Sequence, residues 1–280
     1  MNEAITFWLG CNVVRHGDII HTCVEILRAL AIDARIVGGP DYCCGTSKDT
    51  NISAAAGMAR RTARHLQATE RPTVVAWCPS CHVHMTDVIS RAHDTGFALA
   101  HFVGLLHRHR ERLAPLLVHR IDERVLLHRH ADFDAKVPVY GMAEELLRLI
   151  PGVSIAPGAY IAPAYQCAAL APHPHVMQDL CAKTLEEARA GDAALLVTLF
   201  HQCYRELLGL DTDGHLRVCN YIHLLARSMG IESNDDYKTW KQACAGAKAS
   251  IGEARMAAIG EALVDRAILP ELARRPYRPE

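Results

Sequence analysis

A chain that writes one alternation of short apolar strands and amphipathic helices twice has few folds open to it. Each strand–helix–strand unit pairs its strands in parallel and lays its helix on the sheet. In the first copy, residues 4–11 (AITFWLGC) read as a strand, 18–31 as a helix and 33–37 (DARIV) as a second strand, followed by the loop 41–45 (DYCCG). Residues 53–68 have helical spacing, and 73–77 (TVVAW) form a third strand that runs into Cys78-Pro79-Ser80-Cys81, with a helix from about Ser80. In the second copy, 124–127 (RVLL) is a strand leading to His128–His130, 139–149 a helix, 153–156 a strand, and 177–190 a helix. A strand over 193–199 then leads into Phe200-His201-Gln202-Cys203. Cys44 and Cys81 stand 37 positions apart, Cys167 and Cys203 36, and residues 101–106 (HFVGLL) resemble 220–225 (NYIHLL). The offset stays between 119 and 123, which argues for an internal duplication. The expected architecture is α/β: two pseudo-repeated, Rossmann-like parallel-sheet halves, 1–120 and 121–233, with a C-terminal helical extension over 234–280. Helices are expected there over 241–256 and 258–272, before a polar tail (RRPYRPE).

Of the 280 residues, 50% are hydrophobic and 22% charged, enough for a sizeable core. A net charge of −1 excludes bulk electrostatic attraction to nucleic acid or a membrane surface. The apolar runs are too short to span a bilayer, and the first residues (MNEAITFWLGC) do not read as a signal peptide. A cytoplasmic location is therefore expected. There the 11 cysteines are reduced, and clustered ones read as metal ligands or redox groups rather than disulfides.

Three cysteine groups of the first half stand at or just after strand ends: Cys11 at the first, Cys43-Cys44 after the second, Cys78 and Cys81 at the third. In an open parallel sheet those ends share one edge, so residues distant in sequence should converge. Five thiolates there suit a polynuclear iron cluster, whereas one zinc ion takes only four ligands. Adjacent cysteines diverge, which fits an extended cluster better than one small ion. Gly45 lets the backbone approach closely, and the helix start past Pro79 offers unpaired N–H groups. Buried apolar cysteines, and zinc on four of the five, are the competing readings.

The pattern Cys11…Cys43-Cys44-Gly45…Cys78-Pro79-Ser80-Cys81 resembles the CCG, or cysteine-rich, domain, the hallmark of one component of heterodisulfide reductase and of its relatives, over roughly residues 5–229. The resemblance implies that these five cysteines hold a non-cubane [4Fe-4S] cluster. It further implies a redox subunit of a heterodisulfide reductase-like complex, exchanging electrons with a ferredoxin-like iron–sulfur partner and a flavin-bearing one. The substrate would be a small thiol or disulfide, or protein-bound or sulfane sulfur. An Ala/Arg-rich composition leans toward the bacterial sulfur-oxidising branch. The alternative of another class is a zinc-binding structural or assembly protein without redox chemistry.

The second copy departs from that pattern. Its counterparts are Gln166-Cys167-Ala168 and Phe200-His201-Gln202-Cys203, and the lone upstream cysteine falls near Ala131, where none is present. Two thiolates do not hold a cluster of this kind, so one cluster per chain is expected. Cys167 and Cys203 remain as a candidate catalytic redox pair, as zinc ligands beside His128, His130 or His201, or as buried leftovers. His82 and His84 would either tune the cluster or face the helix surface. His101, Trp77 and Phe200 read as packing or pocket wall, Cys23, Cys181, Cys219 and Cys244 as structural. Residues 108–112 (RHRER) read as a solvated helix end, with docking of an acidic partner as the sharper alternative.

Overall fold

Apolar runs without alternation must be covered on both faces, and the chain meets that demand twice. The computed structural model describes residues 3–11, 14–45, 52–90, 94–211 and 216–274. Its first half builds strands β1 (Ala4–Trp8), β2 (Asp33–Val37), β3 (Thr73–Ala76) and β4 (Ala98–His101) into a parallel sheet in the order β2-β1-β3-β4. Trp8 lies opposite both Val37 and Ala76, and Ala76 opposite His101, so the strands end level with one another. Ile5, Phe7, Trp8, Val74 and Val75 are buried at the sheet centre. Helices α1 (Gly17–Ala29), α2 (Ile52–Gln67), α3 (Pro79–His84) and α4 (Phe102–Arg108) follow the four strands in turn.

The second half repeats this order. Strands β5 (Arg124–Leu127), β6 (Ser154–Ile155), β7 (Leu195–Thr198) and β8 (Arg217–Asn220) pair in parallel as β6-β5-β7-β8. They alternate with α5 (Val139–Arg148), α6 (Pro174–Ala190), α7 (His201–Leu207) and α8 (Tyr221–Met229). The chain is thus an α/β protein of two Rossmann-like halves. Helix α1 packs on α8, and α4 on α5, so each half covers part of the other.

The periodicity predicts three strands in each half; the structure adds β4 and β8 as edge strands. Each is four residues long and turns at once into a helix, so no loop signal marks it. The matched segments 101–106 and 220–225 are these strand-to-helix corners. His101 Nδ1 accepts the backbone N–H of Val103 at 3.4 Å, and Asn220 Oδ1 accepts that of Ile222 at 3.1 Å, capping α4 and α8 alike. Asn220 also donates to the carbonyl of Leu199 at 3.2 Å.

The two long C-terminal helices expected over 241–256 and 258–272 are instead several short ones: α9 (Asp236–Gln242), Ala247–Ile251, Glu253–Ile259 and Leu269–Ala273 among them. Gly252 (φ +78°) and Gly260 (φ +95°) break the run, since they take left-handed backbone that continues no right-handed helix. Residues 275–280 of the polar tail lie outside the described ones. The extension folds back on the halves: Arg15 Nε donates to Glu271 at 2.9 Å, as does the Tyr237 hydroxyl at 2.8 Å, and Arg274 pairs with Glu206 at 2.5 Å. The basic run 108–112 is used within the chain, because Arg108 and His109 both bind Glu3, at 3.0 and 2.5 Å, and Arg112 donates to the Leu30 carbonyl. Among the described residues no helix is long and apolar enough to cross a membrane.

Burial holds the His101 imidazole down to about 3, with neighbouring His82 adding to the effect. An unfolded chain protonates this histidine near pH 6.5 and the folded one only near 3. Stability is therefore lost as pH falls between those values, by about 1.4 kcal/mol per pH unit. His101→Asn keeps a cap acceptor, as Asn220 does in the other half, and removes the titrating group. Its urea midpoint should fall less steeply with acidification than that of the parent. Asn220→Ala, in contrast, should cost about 1–2 kcal/mol across the range.

Candidate metal centres

The loops leaving β1, β2 and β3 emerge together and are tied to one another. Gly39 N–H donates to the Gly10 carbonyl at 2.9 Å, Trp8 Nε1 to the Tyr42 carbonyl at 2.9 Å, and Trp77 Nε1 to the Leu9 carbonyl at 2.5 Å. Cys11 does not end β1 itself but follows three residues on, past Gly10 at φ +65°. A Cβ on Gly10 would lie 2.8 Å from Cys81 Sγ, so only glycine allows the first loop to reach the third. Cys43 and Cys44 follow a single 3₁₀ turn (Pro40–Tyr42), and Thr62 Oγ1 fixes the Cys43 carbonyl at 2.7 Å. Gly45, at φ +90°, passes so close to α2 that a Cβ would sit 2.8 Å from the Ala55 carbonyl. Cys78 stands at the N-cap of α3, and Cys81 lies in its first turn.

This arrangement brings the five cysteines to one sheet edge as a pair and a trio. Cys11 hydrogen-bonds Cys43, and Cys81 hydrogen-bonds both Cys44 and Cys78. Cys11 is partly exposed and the other four are buried. The Cys81 thiol held against Cys78 keeps Cys78 well below the usual thiol range; burial opposes this, and neighbouring His201 reinforces it. Cys11 is pushed up by its bond to Cys43, by burial and by the charges of Cys43, Cys78 and Cys44. Cys81 is pushed up by its bonds to Cys44 and Cys78 and by burial. Like charges therefore limit ionisation of the group on its own, and a cationic metal centre would lift that limit.

One wall of this site comes from far along the chain. His201 stacks on Trp77 with ring centroids 4.4 Å apart and lies 5.2 Å from His16, which in turn lies 5.1 Å from Tyr237 of α9. His16 is fully buried, and neither ring nitrogen has a hydrogen-bond partner among the described residues. Burial first, then His201 and Arg205, keeps it neutral. Tyr165 reaches the same area through a hydrogen bond with Ser80. His16 and Tyr165 carry no spacing signal, because what they face is decided by α7, α9 and the loop before Cys167. His82 packs 5.8 Å from Phe133 and 6.0 Å from His101, and Phe200 packs 4.8 Å from Phe133, all between the halves. His84 is partly buried.

The corresponding edge of the second sheet gathers His128, His130, Cys167 and Cys203, all buried, with one ligand atom of each within 4.8 Å of the others. His128 and His130 follow β5, Cys167 opens a short helix (Cys167–Leu170), and Cys203 lies in the first turn of α7. The two histidines stand at the strand end that carries Cys11 in the first half. Of the three histidines weighed for this group, His128 and His130 are in it and His201 is not; its ring turns the other way, toward Trp77. Burial raises Cys167, and its bond to Cys203 adds to that. Burial opposes ionisation of Cys203, yet the Cys167 thiol, His130 and His128 together hold it well below the usual range. Burial also lowers His128, partly offset by Cys203. For His130 the attraction of Cys203 outweighs burial and raises it. The two edges touch: Gln166 Nε2 donates to Ser80 Oγ at 2.7 Å, and Ser80 donates to Gln202 Oε1 at 3.4 Å. Of the remaining cysteines, Cys23 and Cys181 are buried and Cys219 half-buried; Cys244 is exposed at φ +50°, which removes it from the structural set.

Residues 5–86 match the family described as CCG, Cysteine-rich domain, a segment that includes all five first-site cysteines and less than half of the chain. No curated protein sequence matches the chain. Among solved structures, an aspartate racemase homologue from Pyrococcus horikoshii OT3 is 9% identical, with 82% of this chain and 97% of that one covered at a TM-score of 0.35. Picrophilus torridus aspartate racemase is 10% identical, with 84% and 98% covered at 0.36, and glutamate racemase from Aquifex pyrophilus 13%, with 81% and 82% at 0.34. Likeness of this degree carries nothing over to the chemistry of this chain.

Gly10→Ala should strip most of the metal from the first site, because its Cβ collides with Cys81 Sγ on a backbone that alanine resists. Gly57→Ala, exposed in α2 with nothing near its Cβ, should keep the metal and gain about 0.5–1 kcal/mol. Elemental analysis and urea unfolding of the two variants check both outcomes.

Proposed function

We propose, from the match of residues 5–86 to the CCG cysteine-rich domain, that the chain is an iron–sulfur redox subunit of a heterodisulfide reductase-like complex. One non-cubane [4Fe-4S] cluster would be held by Cys11, Cys43, Cys44, Cys78 and Cys81. The observation that supports this most is the meeting of five thiols from three separate loops, packed without a Cβ at Gly10. The donor set fits such a group: it exceeds the four ligands of a zinc ion, and its all-sulfur chemistry is that of protein-bound iron–sulfur clusters.

When bound, the cluster supplies reversible electron transfer and iron that attracts substrate sulfur. The chain's own residues do the rest. Trp77, His201 and the buried face of the C-terminal extension exclude water. Cys11, partly exposed, marks the side from which a thiol, disulfide or sulfane sulfur approaches. Neutral His16, fully buried, backs this wall with its ring 6.1 Å from Trp77 and 5.2 Å from His201. With the cluster bound, electrons would pass to a ferredoxin-like partner and on to a flavin-bearing one, in the reducing setting of the cytoplasm that would keep these thiols intact.

Protein purified without oxygen should be brown and hold about four irons and comparable sulfide per chain. Cys43→Ser and Cys44→Ser should each abolish that colour. Protein with neither iron nor sulfide, unchanged by Cys43→Ser, would overturn the reading, and co-purification with redox partners tests the assembly.

A further inference from the structure

The second sheet edge holds a complete ligand set of its own, independent of the five-cysteine site. We propose that His128, His130, Cys167 and Cys203 bind one zinc ion that is structural. A tetrahedral zinc has bonds of about 2.0–2.1 Å to nitrogen and about 2.3 Å to sulfur, which place its ligand atoms about 3.3 Å (N to N) and about 3.5 Å (N to S) apart. Here His128 Nε2 and His130 Nε2 are 3.1 Å apart, and Cys167 Sγ stands 3.3 Å from the first and 3.4 Å from the second. Cys203 Sγ lies within 4.8 Å of all three and accepts the Cys167 backbone N–H at 3.3 Å.

The surroundings fix the ligand atoms in the same sense. His130 Nδ1 donates to the Pro163 carbonyl at 2.8 Å, which places the proton there and leaves a bare lone pair on Nε2, facing the other three groups. The Tyr140 hydroxyl accepts the His130 backbone N–H at 2.8 Å and holds the strand end in place. Without a cation, two imidazole nitrogens and two thiols would crowd one another in an apolar interior. A divalent ion with two thiolates is neutral overall and satisfies all four. Mixed nitrogen and sulfur donors in a tetrahedron suit zinc. All four ligands come from the chain and all are buried, so no position is open to substrate, which marks the closed, structural type of site.

The ion joins the end of β5, the segment before the Cys167–Leu170 helix, and the first turn of α7. It engages Cys167 and Cys203 as ligands, in place of the catalytic redox pair that their spacing suggests. Gln166 and Gln202, each next to one of these cysteines, grip Ser80 inside the first site's turn, so the zinc would also brace that turn.

The protein produced with both metals supplied should carry one zinc per chain, with or without iron. Its zinc-edge X-ray absorption should show two sulfurs at about 2.3 Å and two nitrogens at about 2.0–2.1 Å. Cys203→Ser and His130→Ala should lose the zinc. In case these variants misfold, His128→Cys serves as the second arm: it should keep the zinc and change the shell to three sulfurs and one nitrogen. Folded parent protein without zinc would overturn the proposal. So would zinc in an all-sulfur shell that disappears in Cys44→Ser, since that ion would sit in the first site. Recovery of Cys167 and Cys203 as a disulfide would overturn it too. None of these outcomes depends on whether iron is found.

Discussion

Parallel pairing of β1 with both β2 and β3 is the constraint on which the rest of the structure depends. A parallel sheet sends every strand's following loop out at one edge, level with its neighbours. Because Trp8 is in register with Val37 and Ala76, the loops that carry Cys11, Cys43-Cys44 and Cys78 leave side by side. Main-chain and indole hydrogen bonds then lock the three loops together, through Gly10, Tyr42 and Leu9. Five thiols at such an edge, four of them buried, repel one another once ionised, so the same geometry that collects them favours a cation among them.

The duplication puts a second edge of the same kind against the first. There the strand end supplies His128 and His130 where the first half supplies Cys11, and a single cysteine survives from each of the other two groups. The mixture replaces an all-thiol group with two imidazoles and two thiols. Ser80, Gln166 and Gln202 connect the two edges, while Phe133, Phe200, His82 and His101 fill the apolar space between the halves. The glycine-broken C-terminal extension closes the remaining side by placing Tyr237 against His16 and Glu271 between Arg15 and Arg205.

Much of this is legible along the chain. Strands such as 33–37 and 124–127 are read to the residue, the first because Gly38-Gly39-Pro40 ends it. The edge strands β4 and β8 are not, because four residues that turn directly into a helix leave neither alternation nor turn residues. The C-terminal helices read too long for the converse reason: their helical composition continues straight across Gly252 and Gly260, whose left-handed backbone is a choice made by packing.

By itself the sequence determined the α/β class, the repeated strand–helix order, and which cysteines stand near strand ends in each half. All of these rest on residue type and spacing, which local chain geometry turns into structure. Only the tertiary structure decided the neighbours of those residues. It turned His201 onto Trp77 rather than into the second site, made His128 and His130 converge on Cys167 and Cys203, and brought His16 and Tyr165 to the first site's wall. The direction of a side chain at a helix start or strand end is set by segments arriving from distant parts of the sequence, and no local pattern encodes where they will come to rest.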